Sequence, residues 1–213
     1  MTYDLYVVTD EQIGHGRSHA ELARLAVAGG ADAVQLRDKS LSCRSLLTAA
    51  REVRVVTAEE GALFIVNDRL DVALAAGADG VHLGQSDLPV ECARRLVPPE
   101  FIVGVSVRCA DEAVRAVAGG ADYVALSPLF ATGSKADAGA GHGLAALASI
   151  RSAVGVPVLA IGGIGQRNVR EVIAAGADGV AVISAVVAAE DVAAAARGLK
   201  AQIVAAKEAR RRR

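Results

Sequence analysis

"AGGADAVQL" at residues 28–36 decides the fold, because the same template returns as "AAGADGVHL" at 75–83, "AGGADYVAL" at 118–126 and "AAGADGVAV" at 174–182. Each copy reads as the end of a helix, a glycine at the stop, an Ala-Asp pair and a short apolar run. Glycine supplies the left-handed cap that lets a helix end abruptly, and the apolar residues behind it are too few for a second helix but enough for a strand. Each copy is therefore an αβ junction.

Four further apolar runs of strand length lie between the copies: "LYVVT" (5–9), "LFIVN" (63–67), "FIVGVS" (101–106) and "VPVLAIG" (156–162). The resulting eight runs alternate with Ala- and Arg-rich helical stretches such as 18–28, 43–58, 111–118 and 167–175. Near-continuous apolar strands separated by helices mean a parallel sheet, since parallel neighbours need a crossover and both faces become covered. Eight such units predict an α/β protein, a single (β/α)8 TIM barrel spanning residues 1–213, with about 200–213 as the end of the last helix and a basic tail. A doubly wound open sheet is the competing architecture. No GxGxxG follows the first strand and no shift of composition marks a second domain.

The chain has 213 residues, 53% of them hydrophobic, which suffices for a sizeable core and argues against disorder. Its 23 basic and 24 acidic residues give a formal net charge of -1, so nothing at whole-chain level points to nucleic acid or a membrane as partner. Any anion site must be local. Cys43, Cys92 and Cys109 form no CxxC pair and no metal spacing, and are read as core thiols of a reducing interior. The opening "MTYDLYVVTD" has no basic n-region before a long apolar run, so the expectation is a soluble, cytoplasmic protein. The sequence leaves room for a homo-oligomer.

In a barrel of this kind the chemistry sits at the C-terminal ends of the strands. The residues that follow the runs are polar, charged or glycine: Thr9-Asp10, Gln35 to Lys39, Asn67-Asp68, Gln85 to Asp87, Ser106, Ser127, Gly162-Gly163 and Ile183-Ser184. Three groups among them carry chemistry. Arg37, Lys39 and Lys135, with the amides of Gln35 and Asn67, suit a diphosphate: arginine offers a planar fork and lysine a mobile point charge. The plainer reading is solvated loop charge. Asp68 and Asp87 follow adjacent strands and offer the hard oxygen ligands that Mg2+ takes while keeping positions for water and phosphate. A structural ion-pair network would use the same residues.

The third group is "AIGGIG" (160–165) with "VISA" (182–185). Barrels hold phosphate there on the backbone N–H groups of a glycine turn and on a short extra helix, which Ser184 is expected to cap. A turn required only by chain geometry is the alternative for Gly162 and Gly163. Two phosphate sites, one with a metal, imply two phosphorylated substrates. The loop "ATGSKADAGAGHG" (131–143) is a candidate lid carrying Lys135 inward. His15, His19 and His142 are expected to be solvated, His82 to be a packed strand residue, and the terminal arginines to form a frayed tail.

"QLRDK", "NDRLDVAL", "GVHLGQSD", "GVSV", "FATGSK", "IGGI" and "VISA" stand in an order that resembles the thiamine phosphate synthase family, from about "LYVVTD" to "AAED". "IGGI" alone is unspecific, whereas "QLRDK" with "NDR" and "HLGQSD" is specific. The resemblance implies a transferase that joins an aminopyrimidine methyl diphosphate to a thiazole phosphate with Mg2+, releasing pyrophosphate. It implies that the segment Gln35, Leu36, Arg37, Asp38 and Lys39, with Asn67, Ser106 and Lys135, meets the pyrimidine diphosphate. Arg37, Lys39, Lys135 and Ser106 would be catalytic. Asp68 and Asp87 would hold Mg2+, and Thr132, Gly133, Ser134, Gly163, Ile183 and Ser184 would bind the thiazole phosphate.

The implied route is dissociative and needs leaving-group charge stabilised more than it needs a base. That agrees with the absence of a Ser-His-Asp set and of HExxH. Family members commonly carry glycine where Ser127 stands and proline where Ala131 stands, which leaves the hinge of the loop in question. Two other functions compete. A thiazole tautomerase of the same superfamily would have histidine where Pro128 stands, and a non-catalytic sensor of phosphorylated ligands would not keep the aspartate pair.

Overall fold

The structure, a computed structural model, describes residues 3–134 and 139–212. Eight strands close into a parallel barrel in chain order: β1 (Leu5–Thr9), β2 (Ala33–Leu36), β3 (Leu63–Asn67), β4 (Gly80–Leu83), β5 (Ile102–Val107), β6 (Tyr123–Leu126), β7 (Val158–Ile161) and β8 (Gly179–Val182). β8 pairs back onto β1, with Val7 opposite Val182. Nine helices are present among the described residues: α1 (His19–Ala28), α2 (Cys43–Glu60), α3 (Leu70–Ala76), α4 (Val90–Leu96), α5 (Ala110–Ala118), α6 (Gly143–Ala153), α7 (Val169–Ala174), α8 (Ser184–Val187) and α9 (Val192–Arg211). The expected barrel is present; β5 and β7 are offset from the apolar runs by one or two residues.

The glycines of the repeated template do stop the helices, though one position later than a simple cap in three copies. Gly77 is itself the left-handed C-cap of α3, whereas Gly30, Gly120 and Gly176 follow a right-handed cap residue and take φ of 96°, 100° and 115°. A side chain at such φ is costly, which is why glycine recurs there.

The aspartate of the template has a structural task at the opposite end of the barrel from the strand exits. Asp32, Asp79, Asp122 and Asp178 accept hydrogen bonds from the backbone N–H of Leu5, Phe64, Val103 and Val158, at 2.7–2.9 Å. Each also meets a cation from a helix: Lys200, Arg54, Arg94 and Arg151 respectively. The entry of every odd-numbered strand is thus tied to its even-numbered successor, and the N–H of the first or second residue of each is satisfied by a carboxylate.

Side chains alternate across the strands, as the two-residue period demands. Tyr6, Ile65, Tyr123, Leu159 and Ala181 belong to one buried cluster, while Val34, Leu36, Phe64, Val66 and Val81 pack in another with Leu46, Val53 and Val72 of the helices. Between the polar mouth and the clamped base the strands are almost wholly buried, and Gln35 and His82 are the polar exceptions on β2 and β4.

Three expectations fail. Cys43 and Cys109 are exposed and Cys92 is only half-buried, because they sit at the starts and outer faces of helices. His19 is buried, with 1% exposure. The last arginines do not fray at once: α9 runs to Arg211, and Arg210 donates to the carbonyls of Ile173 and Ala177 at 2.9 Å.

Candidate active site

The strand exits enclose two cavities. One, of about 610 Å³, is lined by Arg37, Lys39, Asn67, Asp68, Asp87 and Ser106, among others. The other, of about 580 Å³, is lined by Thr132, Ser134, Gly163, Ile183 and Ser184, with Gln166 to Asn168. Ser127 and Pro128 belong to both linings, so the exit of β6 forms their common wall.

The first cavity is built from adjacent strand ends. Arg37 follows β2, and its guanidinium lies 3.5 Å from the Asp10 carboxylate after β1. Asp68 takes a positive φ of 63°, a conformation that aspartate tolerates better than most residues, and its N–H donates to His82 O at 2.8 Å. Asp87 accepts the N–H of Gly84 at 2.6 Å, which folds the turn after β4 back on itself. Burial, and then a shared hydrogen bond and charge repulsion with Asp87, push the Asp68 carboxyl up to about 6, against the pull of Lys39 and Arg37.

Two carboxylates that compete in this way fit a divalent cation, which favours both ionised forms at once. No group of three or more His, Cys, Asp or Glu residues that could hold a metal occurs among the described residues. Two carboxylates are a donor set of the kind that Mg2+ accepts, with water and ligand oxygens completing its shell.

Asp38 and Leu36 face elsewhere. Asp38 Oδ1 accepts from Ser40 N, Ser40 Oγ and Leu41 N at 2.7, 2.7 and 2.9 Å, while Oδ2 faces His19 Nε2 at 3.4 Å. These bonds hold the Asp38 carboxyl below its ordinary range, although burial acts in the opposite direction. Leu36 is fully buried in the helix-facing layer. Asp38 shapes the turn that carries Arg37 and Lys39, and Leu36 offers a ligand only its backbone.

The second cavity depends on a glycine turn. Gly162 and Gly163 take φ of 106° and 64°, and a Cβ on Gly163 would lie 2.8 Å from Ala131 O and from Phe130 Cβ. Asn168 braces the turn, accepting from Gly165 N at 2.9 Å and donating to Gly163 O at 2.8 Å. Ser184 is the first residue of α8, not its cap; Ile183 occupies the cap position and Ser184 Oγ meets Ser134 Oγ at 3.2 Å. Thr132 Oγ1 accepts from Ser134 N at 3.2 Å, and Gly133 between them is exposed. Lys135 and the rest of 135–138, at the centre of the expected lid, lie outside the described residues.

Beneath the first cavity the structure adds residues that the sequence reading passed over. Gln35 Nε2 donates to Tyr6 Oη at 2.8 Å, Tyr6 Oη is 3.0 Å from Tyr123 Oη, and Tyr123 Oη is 2.9 Å from His82 Nδ1. His82 Nε2 then lies 2.9 Å from Ser106 Oγ. His82 is therefore a member of a polar chain as well as a packed strand residue. Tyr6 on β1 and Tyr123 on β6 are both buried, and their approach comes only from the closure of the barrel.

Cavities that share a wall, one cationic with a carboxylate pair and one walled by a glycine turn and a helix start, make this a phosphate-handling enzyme of the (β/α)8 barrel class. The chain belongs to the thiamine monophosphate synthase family, whose model matches residues 5–186, and it is accordingly a transferase. A thiamine-phosphate synthase of Methanoculleus marisnigri is 69% identical over 207 residues, covering 97% of this chain and 98% of its own. Another, of Methanoregula boonei, is 64% identical over 208 residues, covering 98% and 96%. Among solved structures, a thiamine phosphate pyrophosphorylase from Pyrococcus furiosus superposes with a TM-score of 0.89 at 43% identity, covering 96% of each chain.

Proposed function

We propose that this chain makes thiamine phosphate by joining an aminopyrimidine methyl diphosphate, held in the Arg37–Asp87 cavity, to a thiazole phosphate held at the Gly163–Ser184 cavity. The observation that carries the reading is the common wall of Ser127 and Pro128: two anionic substrates bound on either side would bring their reactive ends together over the barrel mouth. Full-length relatives named for this synthesis support it.

The bond between the pyrimidine methylene carbon and the diphosphate oxygen breaks, and its electron pair leaves with the oxygen. The thiazole nitrogen then supplies the pair for the new carbon–nitrogen bond, so no proton has to move. Arg37, Lys39 and Lys135 hold the departing charge, which is stabilisation aimed at what develops in the transition state. Asn67 and Ser106 offer hydrogen bonds to the same substrate. Asp68 and Asp87 would hold Mg2+, which when bound adds positive charge beside the diphosphate. The backbone around Gly163 and Ile183, with the hydroxyls of Thr132, Ser134 and Ser184 beside Gly133, would take the monophosphate.

Among the described residues no helix is long and apolar enough to cross a membrane. We read the enzyme as cytoplasmic, with these two small molecules as its partners and none among nucleic acids or membranes. Incubation with both substrates and Mg2+ is expected to give thiamine phosphate by mass spectrometry, and excess EDTA is expected to stop it. Full activity under chelation would contradict the metal assignment; turnover of the thiazole substrate alone would indicate the tautomerase instead.

A further inference from the structure

The helix beside the second cavity is too short to hold itself. α8 has four residues, Ser184–Val187, and a single turn fixes more backbone than its few hydrogen bonds repay. Val186 and Val187 anchor it in the core, while Ile183 and Ser184 at its start line the cavity. The carbonyls just beyond its other end are met from a distant segment, the loop between β1 and α1. Arg17 donates from Nη2 to Glu190 O at 3.0 Å and from Nη1 to Ala189 O at 3.5 Å, and His15 Nε2 lies 3.3 Å from Ala188 O. We infer that Arg17, with His15 beside it, is a positioning residue for the monophosphate: it fixes the far end of α8 and so sets where Ile183 and Ser184 stand in the cavity. This inference rests on the monophosphate binding there, as proposed above.

The contact is a built one. A guanidinium at the carbonyls that end a helix satisfies acceptors the helix cannot, and its charge is the sign that a helix C-terminus favours. His15 takes φ of 58°, a conformation that costs a residue other than glycine, and in it the ring reaches Ala188 O. The loop is braced from within. Asp10 O accepts from Gly14 N and Glu11 O from Gly16 N, both at 2.8 Å, and Asp10 Oδ1 accepts from Ile13 N at 3.0 Å. Gly14 lies so close to α1 that a Cβ would come within 2.8 Å of Leu22 Cδ1, and Arg17 Nη1 also donates to Gly14 O at 3.3 Å. Arg17 is therefore presented from a fixed base.

The same loop begins on the diphosphate side, where Asp10 Oδ2 faces the Arg37 guanidinium at 3.5 Å. Collapse of the loop as a whole would disturb both substrates. Release of α8 alone would disturb only the monophosphate, and this separates a positioning role from a merely structural one.

The test is Arg17→Met, which keeps the stem and removes the donors, read on protein shown to be folded by circular dichroism. With Mg2+ and both substrates, the KM of the thiazole phosphate should rise on the order of 10-fold, the scale of one hydrogen bond from a charged group. The KM of the pyrimidine diphosphate and kcat at saturation should stay at wild-type values. Arg17→Lys, which keeps the charge on a shorter donor, should recover part of the loss, and it decides the matter if the methionine variant does not fold. In parallel, amide NMR of the wild type titrated with thiazole phosphate should shift the Gly163 and Ser184 signals. An unchanged KM for the thiazole phosphate, or equal rises for both substrates, overturns the positioning role and leaves the synthase reading standing. Binding that moves neither amide overturns the inference together with the placement of the monophosphate.

Discussion

Thr9 Oγ1 and His19 Nδ1 lie 2.7 Å apart at the top of β1, and the same imidazole faces Asp38 Oδ2 with its other nitrogen at 3.4 Å. Thr9 also approaches Gln35 O at 3.2 Å. A buried histidine thus joins the exit of β1 to the turn that carries Arg37 and Lys39. His19→Ala is expected to cost on the order of 1–3 kcal/mol of stability, the usual penalty for stranding buried polar partners. It should also raise the KM of the diphosphate substrate more than that of the monophosphate. Chemical denaturation with separate KM measurements checks both.

Arg37 is largely buried and its nearest carboxylate, on Asp10, stands 3.5 Å away, so the guanidinium is held at the mouth without a tight partner. Arg37→Ala should slow pyrophosphate release about 10²-fold or more, the scale of one preorganised charge contact. Thiazole phosphate affinity should stay near the wild-type value. A variant that keeps its rate and loses only thiazole affinity would mean that the substrates sit the other way round.

The pair Asp68 and Asp87 has a signature in pH. Folding lifts Asp68 from 3.8 to about 6, so between those values the folded protein binds more protons than the unfolded one. The contribution of Asp68 to stability is therefore greatest at low pH and is lost as pH rises through about 6. Thermal unfolding without metal should show that decline, Asp68→Asn should remove it, and Mg2+ should offset it above pH 6 because the cation competes with the proton.

The clamps at the other end of the barrel should behave differently. Asp178 accepts from Val158 N at 2.9 Å and pairs with Arg151. Asp178→Ala leaves a strand N–H and a guanidinium without their partner and should cost about 1.5–3 kcal/mol, as a bond to a charged group does. Activity per folded molecule should not change, since Asp178 lies at the end remote from the cavities. Urea titration beside the specific activity of the folded fraction separates the two effects.

The same contrast explains what could be read from the residues alone. The Ala-Asp template announces each junction because glycine stop, clamp and strand start are consecutive in the chain. Arg37, Lys39, Asn67, Asp68, Asp87 and Ser106 were legible because each lies at, or within four residues of, the C-terminal end of a strand, and strand ends converge in any parallel barrel. His19 was not, since its partners Thr9 and Asp38 come from two other segments and nothing local distinguishes it from a solvated helix start. The Tyr6–Tyr123 contact is hidden for the same reason, being made across the barrel between β1 and β6. Asp38 is expected at the ligand from its place in "QLRDK", whereas its Oδ1 is taken up by its own turn and its Oδ2 faces His19. The terminal arginines look like a tail until α9 is seen to lay Arg210 against the end of α7.

The most direct measurement is pyrophosphate release with each component omitted in turn. With both substrates and Mg2+, pyrophosphate and thiamine phosphate should appear in equal amounts, and omission of the thiazole phosphate, the pyrimidine diphosphate or Mg2+ should each suppress the coupled product. Both ligands bound with no joined product formed, or a thiazole phosphate altered without any diphosphate present, would contradict the assignment of two phosphate sites to one coupling reaction.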